Sequence, residues 1–286
     1  MELQIEQIRD QQKETWNKFS PGWKKWDEVT MDFLKPMGTE IIRLLNLRSD
    51  DFVLDVAAGT GEPGLTIASH LNGGKVISTD LAEGMLEVAQ ENAKKRGIKN
   101  FETIVCDVSE LPFPNNTFNA ISCRFGFMFF PDMEKAIKEM VRVLKPGGRI
   151  ATSVWNIPEK NFWVTAIMGT ISKNIELPPP PSGAPGMFRC ASAGFMSDLF
   201  IHAGLSNVSV QEITGKLNCK TTDTYWGMMN DVAAPVVAAL SKADDALKQK
   251  IKEEVYALVN QKYSDNNVII DSSALVISGK KYPSLL

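Results

Sequence analysis

Short apolar segments alternate with longer segments whose apolar residues recur at helical spacing through the first half of the chain. The short segments are predicted β-strands, at residues 52–56, 75–80, 101–106, 118–123 and 149–155. The longer segments are predicted helices, at residues 65–71, 82–96 and 132–144. Strands that are apolar at almost every position are typical of a sheet covered on both faces. The alternation therefore predicts an α/β fold with a parallel sheet and helices on both faces.

After Trp155 the regular alternation of strand and helix stops. An apolar helix is predicted at 161–175, and a proline-rich segment at 178–186 must be extended. Two or three helices are expected late in the chain, in addition to a helix at 193–203 and strands at 208–213 and 274–278. We expect the late strands to extend the same sheet and a helical lid to be inserted after the fifth strand.

We expect one elaborated domain in three parts. Residues 1–46 form an N-terminal helical cap, residues 47–156 the core, and residues 157–286 the lid and the remaining strands. Within the cap, Pro21-Gly22 is expected to break the helix. The break would separate the tryptophans of this region, Trp16, Trp23 and Trp26.

Charge and composition exclude several classes of protein. Lys and Arg total 31 against 34 Asp and Glu, and no basic stripe is present, so a nucleic-acid partner is not expected. No apolar run reaches the roughly 18 residues that a membrane span needs, and the charged start is not a secretory signal. Four scattered cysteines indicate reduced thiols and no metal site. We expect a cytoplasmic protein whose oligomeric state is open; a homodimer is compatible with the sequence.

A glycine-rich turn joins the first predicted strand to its helix. Residues 59–64 match the pattern G-x-G-x-x-G, in which glycines let a ligand approach the backbone. A nicotinamide dinucleotide or S-adenosylmethionine (SAM) would use such a turn. Either would place its ribose on an acid after the second strand, and Asp80 lies 21 residues after Gly59.

The charge near the turn favours SAM. Asp55 lies four residues before Gly59, where a carboxylate would repel a pyrophosphate but suit the cationic ammonium and sulfonium of SAM. Asp107, after the third strand, can accept the adenine amino group while Val108 lies against the ring. An aspartate at a strand end is also a common capping residue. Three of them around one glycine turn nevertheless favour a ligand site.

Taken together, these motifs resemble those of class I SAM-dependent methyltransferases. They are VLDVAAGTG from residue 53, STDLAEGM from residue 78, CDVSELPFP from residue 106 and LKPGGR from residue 144. The resemblance is strongest to the branch of the ubiquinone/menaquinone C-methyltransferases and covers about residues 30–155. It implies a Rossmann-like sheet of seven mostly parallel strands with the last one antiparallel. The motifs are specific for SAM and not for an acceptor.

Carried over by position, the resemblance implies the cofactor-binding residues. Asp55, Gly59 and Gly61 would surround the methionine part, and Asp80 would take the ribose. Trp23 or Trp26 would close over the cofactor. The resemblance also places at the cofactor Ala57, Thr60, Leu81, Met85, Cys106, Asp107, Val108, Cys123 and Arg124, the last two through their backbone. The family often has Gly-Cys-Gly where this chain has Ala-Ala-Gly at 57–59, and we expect alanine to keep an ordinary backbone conformation there.

The acceptor site is expected over the strand ends, in a wall of aromatic residues and methionine. The candidate residues are Phe125, Phe129, Trp155, Trp163, Phe188, Arg189, Trp226 and Met229. Such a wall suits an apolar or planar acceptor and can stabilise a sulfonium, although some of these rings must be core. His70 and His202 are expected on the surface, so no catalytic base is assigned.

The leading hypothesis is therefore a SAM-dependent methyltransferase acting on a small, apolar or aromatic acceptor. In-line displacement at a sulfonium needs mainly alignment and exclusion of water. The alternatives are a dinucleotide-dependent oxidoreductase and a SAM-binding protein without catalysis. The sequence leaves open whether carbon, nitrogen or oxygen is methylated.

Overall fold

A central sheet of seven strands organises the chain. The computed structural model describes residues 2–179, 181, 183–264 and 266–282. The strands are β1 (Phe52–Val56), β2 (Lys75–Asp80), β3 (Phe101–Val105), β4 (Phe118–Arg124), β5 (Leu144–Trp155), β6 (Leu205–Lys220) and β7 (Val268–Lys281). Their order across the sheet is β3-β2-β1-β4-β5-β7-β6. β1 to β5 pair in parallel, and β7 is antiparallel to both of its neighbours, β5 and β6. The predicted Rossmann-like sheet with its last strand antiparallel is confirmed.

Helices cover both the sheet and its strand ends. Those of the first half are α1 (Glu2–Lys25), α2 (Asp27–Leu45), α3 (Gly64–His70), α4 (Glu83–Lys95) and α5 (Met133–Val143). Those of the second half are α6 (Phe162–Asn174), α7 (Phe195–His202), α8 (Thr222–Val232), α9 (Ala234–Leu240) and α10 (Asp245–Lys262). No helix in the described ranges has the length and hydropathy needed to cross a membrane.

The helices added to the core come from two connections and not from one. α6 and α7 lie between β5 and β6, whereas α8, α9 and α10 lie between β6 and β7. The two groups pack together through α6, which contacts both α9 and α10. The helical lid thus combines both connections. The predicted proline-rich segment includes residue 180 and residue 182, which lie outside the described residues, as do residues 283–286 of the predicted third part.

Both late strands are much longer than predicted. β6 and β7 pair from Leu205 to Lys220, whereas the sequence predicted strands only at 208–213 and 274–278. The reason is that β6 is the edge strand: exposed polar residues alternate along it with residues that are at least partly buried. A search for continuous apolar runs finds only the middle of such a strand. β5 likewise begins at Leu144 and contains the predicted Lys145–Gly148 turn as an irregularity in its pairing with β4.

The prediction that Pro21-Gly22 breaks the first helix was wrong, because α1 runs through both residues to Lys25. A proline inside a helix has no N–H to donate to the carbonyl four residues earlier. That carbonyl, on Asn17, accepts the hydroxyl of Ser20 instead, with an O···O distance of 3.0 Å. Gly22 has a separate role. A Cβ atom at this position would lie 2.0 Å from the backbone oxygen of Asp231, so glycine lets α8 pack directly on α1.

We predict that Gly22→Ala and Gly169→Ala change stability in opposite directions. Both glycines lie inside helices, where alanine is favoured by about 0.5–1 kcal/mol. A methyl group on Gly169 meets nothing within 4 Å, so Gly169→Ala should stabilise the fold. Gly22→Ala should destabilise it by about 1–3 kcal/mol, because α8 must move away. Urea unfolding of both variants checks this. Stabilisation by both would show that α8 does not pack closely on Gly22.

Candidate functional site

The glycine turn lies at the carboxyl end of β1, next to β4. The strand order reverses between these two strands, and ligands of such sheets bind at this point. Gly59 and Gly61 have left-handed φ angles of 54° and 108°. A Cβ atom on Gly59 would meet no atom within 4 Å, whereas one on Gly61 would lie 2.7 Å from Leu65. The open side of the turn is therefore at Gly59, and this space can receive a ligand.

Ala57 departs from the expectation for alanine. Its φ is +51°, a left-handed conformation that costs an L-residue roughly 1–2 kcal/mol. The turn therefore keeps the backbone shape that glycine usually supplies. Gly126 makes room for the extra methyl group, because a Cβ atom on Gly126 would lie 2.8 Å from the Cβ of Ala57. The alanine changes the side-chain packing of the turn and not its path.

Asp80 holds the turn from the side of β2. One carboxylate oxygen accepts the N–H of Gly59 at 2.9 Å, and the other accepts that of Ala82 at 2.9 Å. Burial raises the pKa of Asp80, although part of the residue stays accessible. A carboxylate offers about four acceptor positions, so two remain for a ligand. Asp80 therefore both fixes Gly59 and presents free acceptor positions beside it.

Asp55 is enclosed, contrary to the expectation of an open anion. The residue has no exposed surface. Its carboxylate accepts the N–H of Gly64 at 3.1 Å and the hydroxyl of Ser122 at 2.6 Å. Burial raises the pKa of Asp55 to about 7. Asp55 therefore joins β1, β4 and the start of α3 beneath the turn, and it does not present a full negative charge to a ligand.

The third acid, Asp107, lies after β3 and caps a short 3-10 helix. One of its oxygens accepts the N–H of Ser109 at 2.8 Å, as the capping interpretation expects, and the residue is half-buried. The N–H of Cys106 donates to the carbonyl of Asp80 at 3.0 Å, which fixes the end of β3 beside that of β2. The neighbouring residues predicted at the cofactor, Leu81, Met85, Val108 and Cys123, are half-buried or buried around these strand ends.

Helix α1 lies across this edge of the sheet. Asn17 accepts the N–H of Gly84 at 2.9 Å, at the start of α4. Trp16 packs edge-on against Phe129, with ring centres 5.1 Å apart. Trp26, by contrast, donates its indole N–H to Asp231 of α8 at 2.8 Å. α1 therefore closes the site through Trp16, which the sequence did not single out, while Trp26 is held against α8.

The structure brings three predicted acceptor residues together in one stack. Phe125 stacks on Trp155 with ring centres 4.2 Å apart, and Trp155 contacts Trp163 at 4.9 Å. Phe33 of α2, which was not predicted, completes the stack 5.7 Å from Trp155. Phe33, Trp155 and Trp163 are buried, whereas Phe125 is half-buried. The stack is therefore core with one partly exposed face at Phe125.

Other predicted acceptor residues lie apart from this stack. Met229 is fully buried, and Arg189 donates to the carbonyl of Phe130 at 2.6 Å. Phe188 is half-buried and packs against the core. Trp226 lies on another side of α8, in a groove with residues of α9 and α10. The two histidines, His70 and His202, are exposed, as predicted.

The sequence missed the acids contributed by α2 and by the turn itself. Asp27, at the start of α2, is linked to the turn through Asn92, whose amide donates to the carbonyl of Thr60 at 3.1 Å and lies 3.5 Å from the Asp27 carboxylate. Burial raises the pKa of Asp27. Glu62, within the turn, pairs with Arg96 of the segment after α4. Arg124 has its side chain among these acids, which attract it at longer range. No local pattern marks Asp27, because its position depends on how α2 packs.

The core is similar to known proteins. A family model described as a methyltransferase domain matches residues 53–148. The demethylmenaquinone methyltransferase of Thermus thermophilus is 36% identical over 135 residues, which is 47% of this chain and 51% of that protein. The ubiquinone/menaquinone biosynthesis C-methyltransferase of Pseudomonas entomophila is 38% identical over 120 residues, 41% of this chain and 46% of that protein. The chain thus spans about half the length of these relatives.

Solved structures share the fold over most of the chain. The YcgJ protein of Bacillus subtilis aligns with a TM-score of 0.56 and 22% identity, over 87% of this chain and 99% of that one. Phosphoethanolamine N-methyltransferase 2 of Haemonchus contortus, solved with SAM, aligns with a TM-score of 0.58 and 17% identity. That alignment covers 96% of this chain and 60% of the other. At these identities the likeness establishes a common fold.

We predict that Asp55→Asn stabilises the protein relative to wild type as the pH rises. The raised pKa means that folded Asp55 keeps its proton up to about pH 7, whereas the unfolded residue loses it near the ordinary aspartate pKa of 3.8. Wild type therefore loses stability as the pH rises through this window, by at most about 1.4 kcal/mol per pH unit. Asparagine can still accept from Gly64 and donate to Ser122, and it has no charge to bury.

Urea unfolding of both proteins at about pH 5 and about pH 8 measures this effect. The difference between variant and wild type should favour the variant by about 2–3 kcal/mol more at the higher pH. Parallel pH profiles would mean that Asp55 is ionised throughout the range.

Proposed function

We propose that this chain, whose residues 53–148 match the family model of a methyltransferase domain, transfers a methyl group from SAM to a planar, quinone-type acceptor. The observation that carries the cofactor assignment is the open space at Gly59 beside the carboxylate of Asp80, which accepts two backbone N–H groups and has further acceptor positions. The acceptor class rests on the relatives: one is named as a demethylmenaquinone methyltransferase and another as a C-methyltransferase of ubiquinone/menaquinone biosynthesis.

The residues of the site fit SAM. Asp80 has acceptor positions left for the two ribose hydroxyls, and Asp107 has one for the adenine amino group. Val108 and Met85 offer apolar surface at the ends of these strands. When bound, SAM supplies a methyl group on a sulfonium, which is a good leaving group. The protein then has to hold the cofactor, align an acceptor and exclude water.

A dinucleotide fits this site less well, for a different reason than the sequence suggested. Asp55 is enclosed and partly neutral, so it exerts little repulsion. Asp27 lies near the turn and forms no ion pair among the described residues, whereas Glu62 is paired with Arg96. A carboxylate at Asp27 favours a ligand that is cationic at this end.

The enclosing helices supply the exclusion of water. α1 lies over the strand ends through Trp16 and Asn17, and α8 packs on α1 at Gly22. Phe125 presents the one partly exposed ring of its stack, with a left-handed φ of +60° that directs the chain after β4. Planar acceptors favour offset stacking on such a ring. His70 and His202 lie on the surface, so we assign no catalytic base.

We predict that Asp80→Ala abolishes binding of S-adenosylhomocysteine, measured by calorimetry, because the ribose loses its acceptor and Gly59 loses its anchor. Asp244→Ala is the matched control. Asp244 also accepts a backbone N–H, that of Leu247 at 2.8 Å, but it caps α10. The control should lose about 1 kcal/mol of stability and no affinity. Full affinity in folded Asp80→Ala would remove the nucleoside site from this edge of the sheet.

A second prediction tests the acceptor. Incubated with methyl-labelled SAM, the protein should label a short-chain demethylmenaquinol and leave phosphoethanolamine unlabelled. Phe125→Leu should lower kcat/KM for the quinol roughly tenfold with unchanged affinity for S-adenosylhomocysteine. Phe195→Leu, a change of the same kind at an exposed ring of α7, should leave both kcat/KM for the quinol and the affinity for S-adenosylhomocysteine unchanged. Labelling of the amine and not of the quinol would contradict the acceptor class.

A further inference from the structure

A groove between three helices of the lid lies apart from the proposed cofactor site. Helices α8, α9 and α10 enclose a space of about 470 Å³. Sites for small ligands typically measure about 300–1,000 Å³. The sequence predicted one of the lining residues, Trp226, for the acceptor site, but the structure places it in this groove. The groove therefore has the size of a ligand site, and the proposed methyl transfer makes no use of it.

Helix α8 presents different faces to the groove and to α1. Gly227 and Asp231 face α1: a Cβ atom on Gly227 would lie 3.6 Å from the ring of Trp26, and Asp231 accepts the indole N–H of Trp26 at 2.8 Å. Trp226 and Asn230 line the groove instead, and they are also four residues apart. Successive residues of a helix are turned by about 100°, so the two pairs point in different directions. A ligand in the groove thus lies on another face of α8 from the helix that covers the cofactor site.

The wall formed by α8 and α9 is largely apolar. Trp226 is half-buried, and Val237 and Leu240 of α9 lie across from it. Behind Trp226 stands Tyr256 of α10, with ring centres 6.5 Å apart and ring planes at 67°. The hydroxyl of Tyr256 donates to Asp223, which fixes this second ring. The indole of Trp226 is therefore held in place and keeps surface on which a planar group can stack.

The wall formed by α10 is cationic. Lys248 and Lys252 line the groove four residues apart, on one face of the helix. Lys248 has Asp245 at 3.4 Å. The ammonium of Lys252 lies 5.1 Å from the ring centre of Tyr256, and it forms no ion pair within the described part of the chain. The lining thus has two ammonium groups against one carboxylate.

The two walls together favour a planar anion. Tyr256 contacts both Trp226 and Lys252, so a single ring joins the apolar and the cationic part of the groove. A cation would be repelled by Lys252, and a neutral molecule would leave its charge without a partner. An inorganic anion would leave the indole uncovered. A flat ring with an acidic group satisfies both walls.

We propose that the groove between α8, α9 and α10 is a second ligand site, which binds a small aromatic carboxylate with its ring on Trp226 and its carboxylate at Lys252 and Lys248. The site needs neither SAM nor a methyl acceptor, so it goes beyond the proposed function. Its specificity comes from one stacking surface and from an excess of positive charge at one end.

Calorimetry with two ligands tests the site. The ligands are 2-naphthoate and 2-naphthylmethanol, which has the same ring and no charge. Wild type should bind 2-naphthoate roughly fivefold more tightly, because each exposed ammonium adds a modest attraction. Trp226→Ala should weaken both ligands roughly tenfold or more, since the stacking surface is lost. Trp226→Leu, which keeps an apolar side chain without the flat ring, should also weaken both and decides the question if Trp226→Ala does not fold.

Lysine variants test the charge. Lys252→Met should weaken 2-naphthoate roughly threefold and leave 2-naphthylmethanol unchanged. Lys250→Met is the matched control, because Lys250 belongs to the same helix, lies outside the groove lining and is 3.8 Å from Glu254. The control should leave both affinities unchanged. Equal affinity of wild type for the two ligands, or an equal effect of the two lysine variants, would overturn the anion site.

Other occupants of the groove give different results. Saturating S-adenosylhomocysteine and Phe125→Leu should both leave the affinity for 2-naphthoate unchanged. Binding that Phe125→Leu removes and Trp226→Leu does not would place 2-naphthoate in the acceptor site and overturn the inference. A dimer in light scattering that Trp226→Leu dissociates would assign the groove to a second copy of the chain and also overturn it. Failure of wild type to bind S-adenosylhomocysteine would remove the proposed function and leave the second site standing.

Discussion

Two carboxylates hold the glycine turn through its backbone N–H groups, and the rest of the site depends on this arrangement. Asp55 bonds to Gly64 from beneath, and Asp80 bonds to Gly59 from the side of β2. A turn with left-handed residues at 57, 59 and 61 has many alternative conformations in the unfolded chain, so its single shape needs such anchors. The two acids therefore shape, before any ligand binds, the surface on which a nucleoside can lie.

This arrangement changes how charge decides between ligands. The acid beneath the turn is so well enclosed that its pKa rises to about 7, and its field is correspondingly weak at neutral pH. Within the turn, Glu62 is paired with Arg96, so the negative charge near a ligand comes from Asp27, at the start of the helix before the turn. Selection against a pyrophosphate is thus a property of how α2 and the turn pack together. The strand sequence alone does not supply it.

The spacing of residues along the chain predicted those features of the site that depend on neighbouring elements, and it missed those that depend on distant ones. Asp80 follows the glycine turn at a spacing set by one helix and one strand, so its place could be read from sequence. Asp55 could be placed at the turn, but its enclosure depends on Ser122 of a strand that pairs with β1 only in the folded sheet. Trp226 and Met229 lie three residues apart in α8 and still face different surroundings, which depend on α9 and α10. The path of α1 through Pro21 was missed because a serine hydroxyl replaced the lost donor.

Placing recognition on α1 and α2 has a consequence for how the site can open. Asp27, Trp16 and Asn17 belong to elements that precede the sheet in sequence and meet it at its strand ends. α1 meets the strand ends through hydrogen bonds and ring contacts at the rim, whereas α2 packs its buried face on the sheet and β1 to β4 are joined by continuous parallel pairing. The contacts at the rim can break without disturbing the sheet, because they share no ladder hydrogen bonds with it. A cofactor enclosed by α1 can therefore enter and leave by movement of α1, while α2 and the carboxylates that shape the glycine turn stay in place.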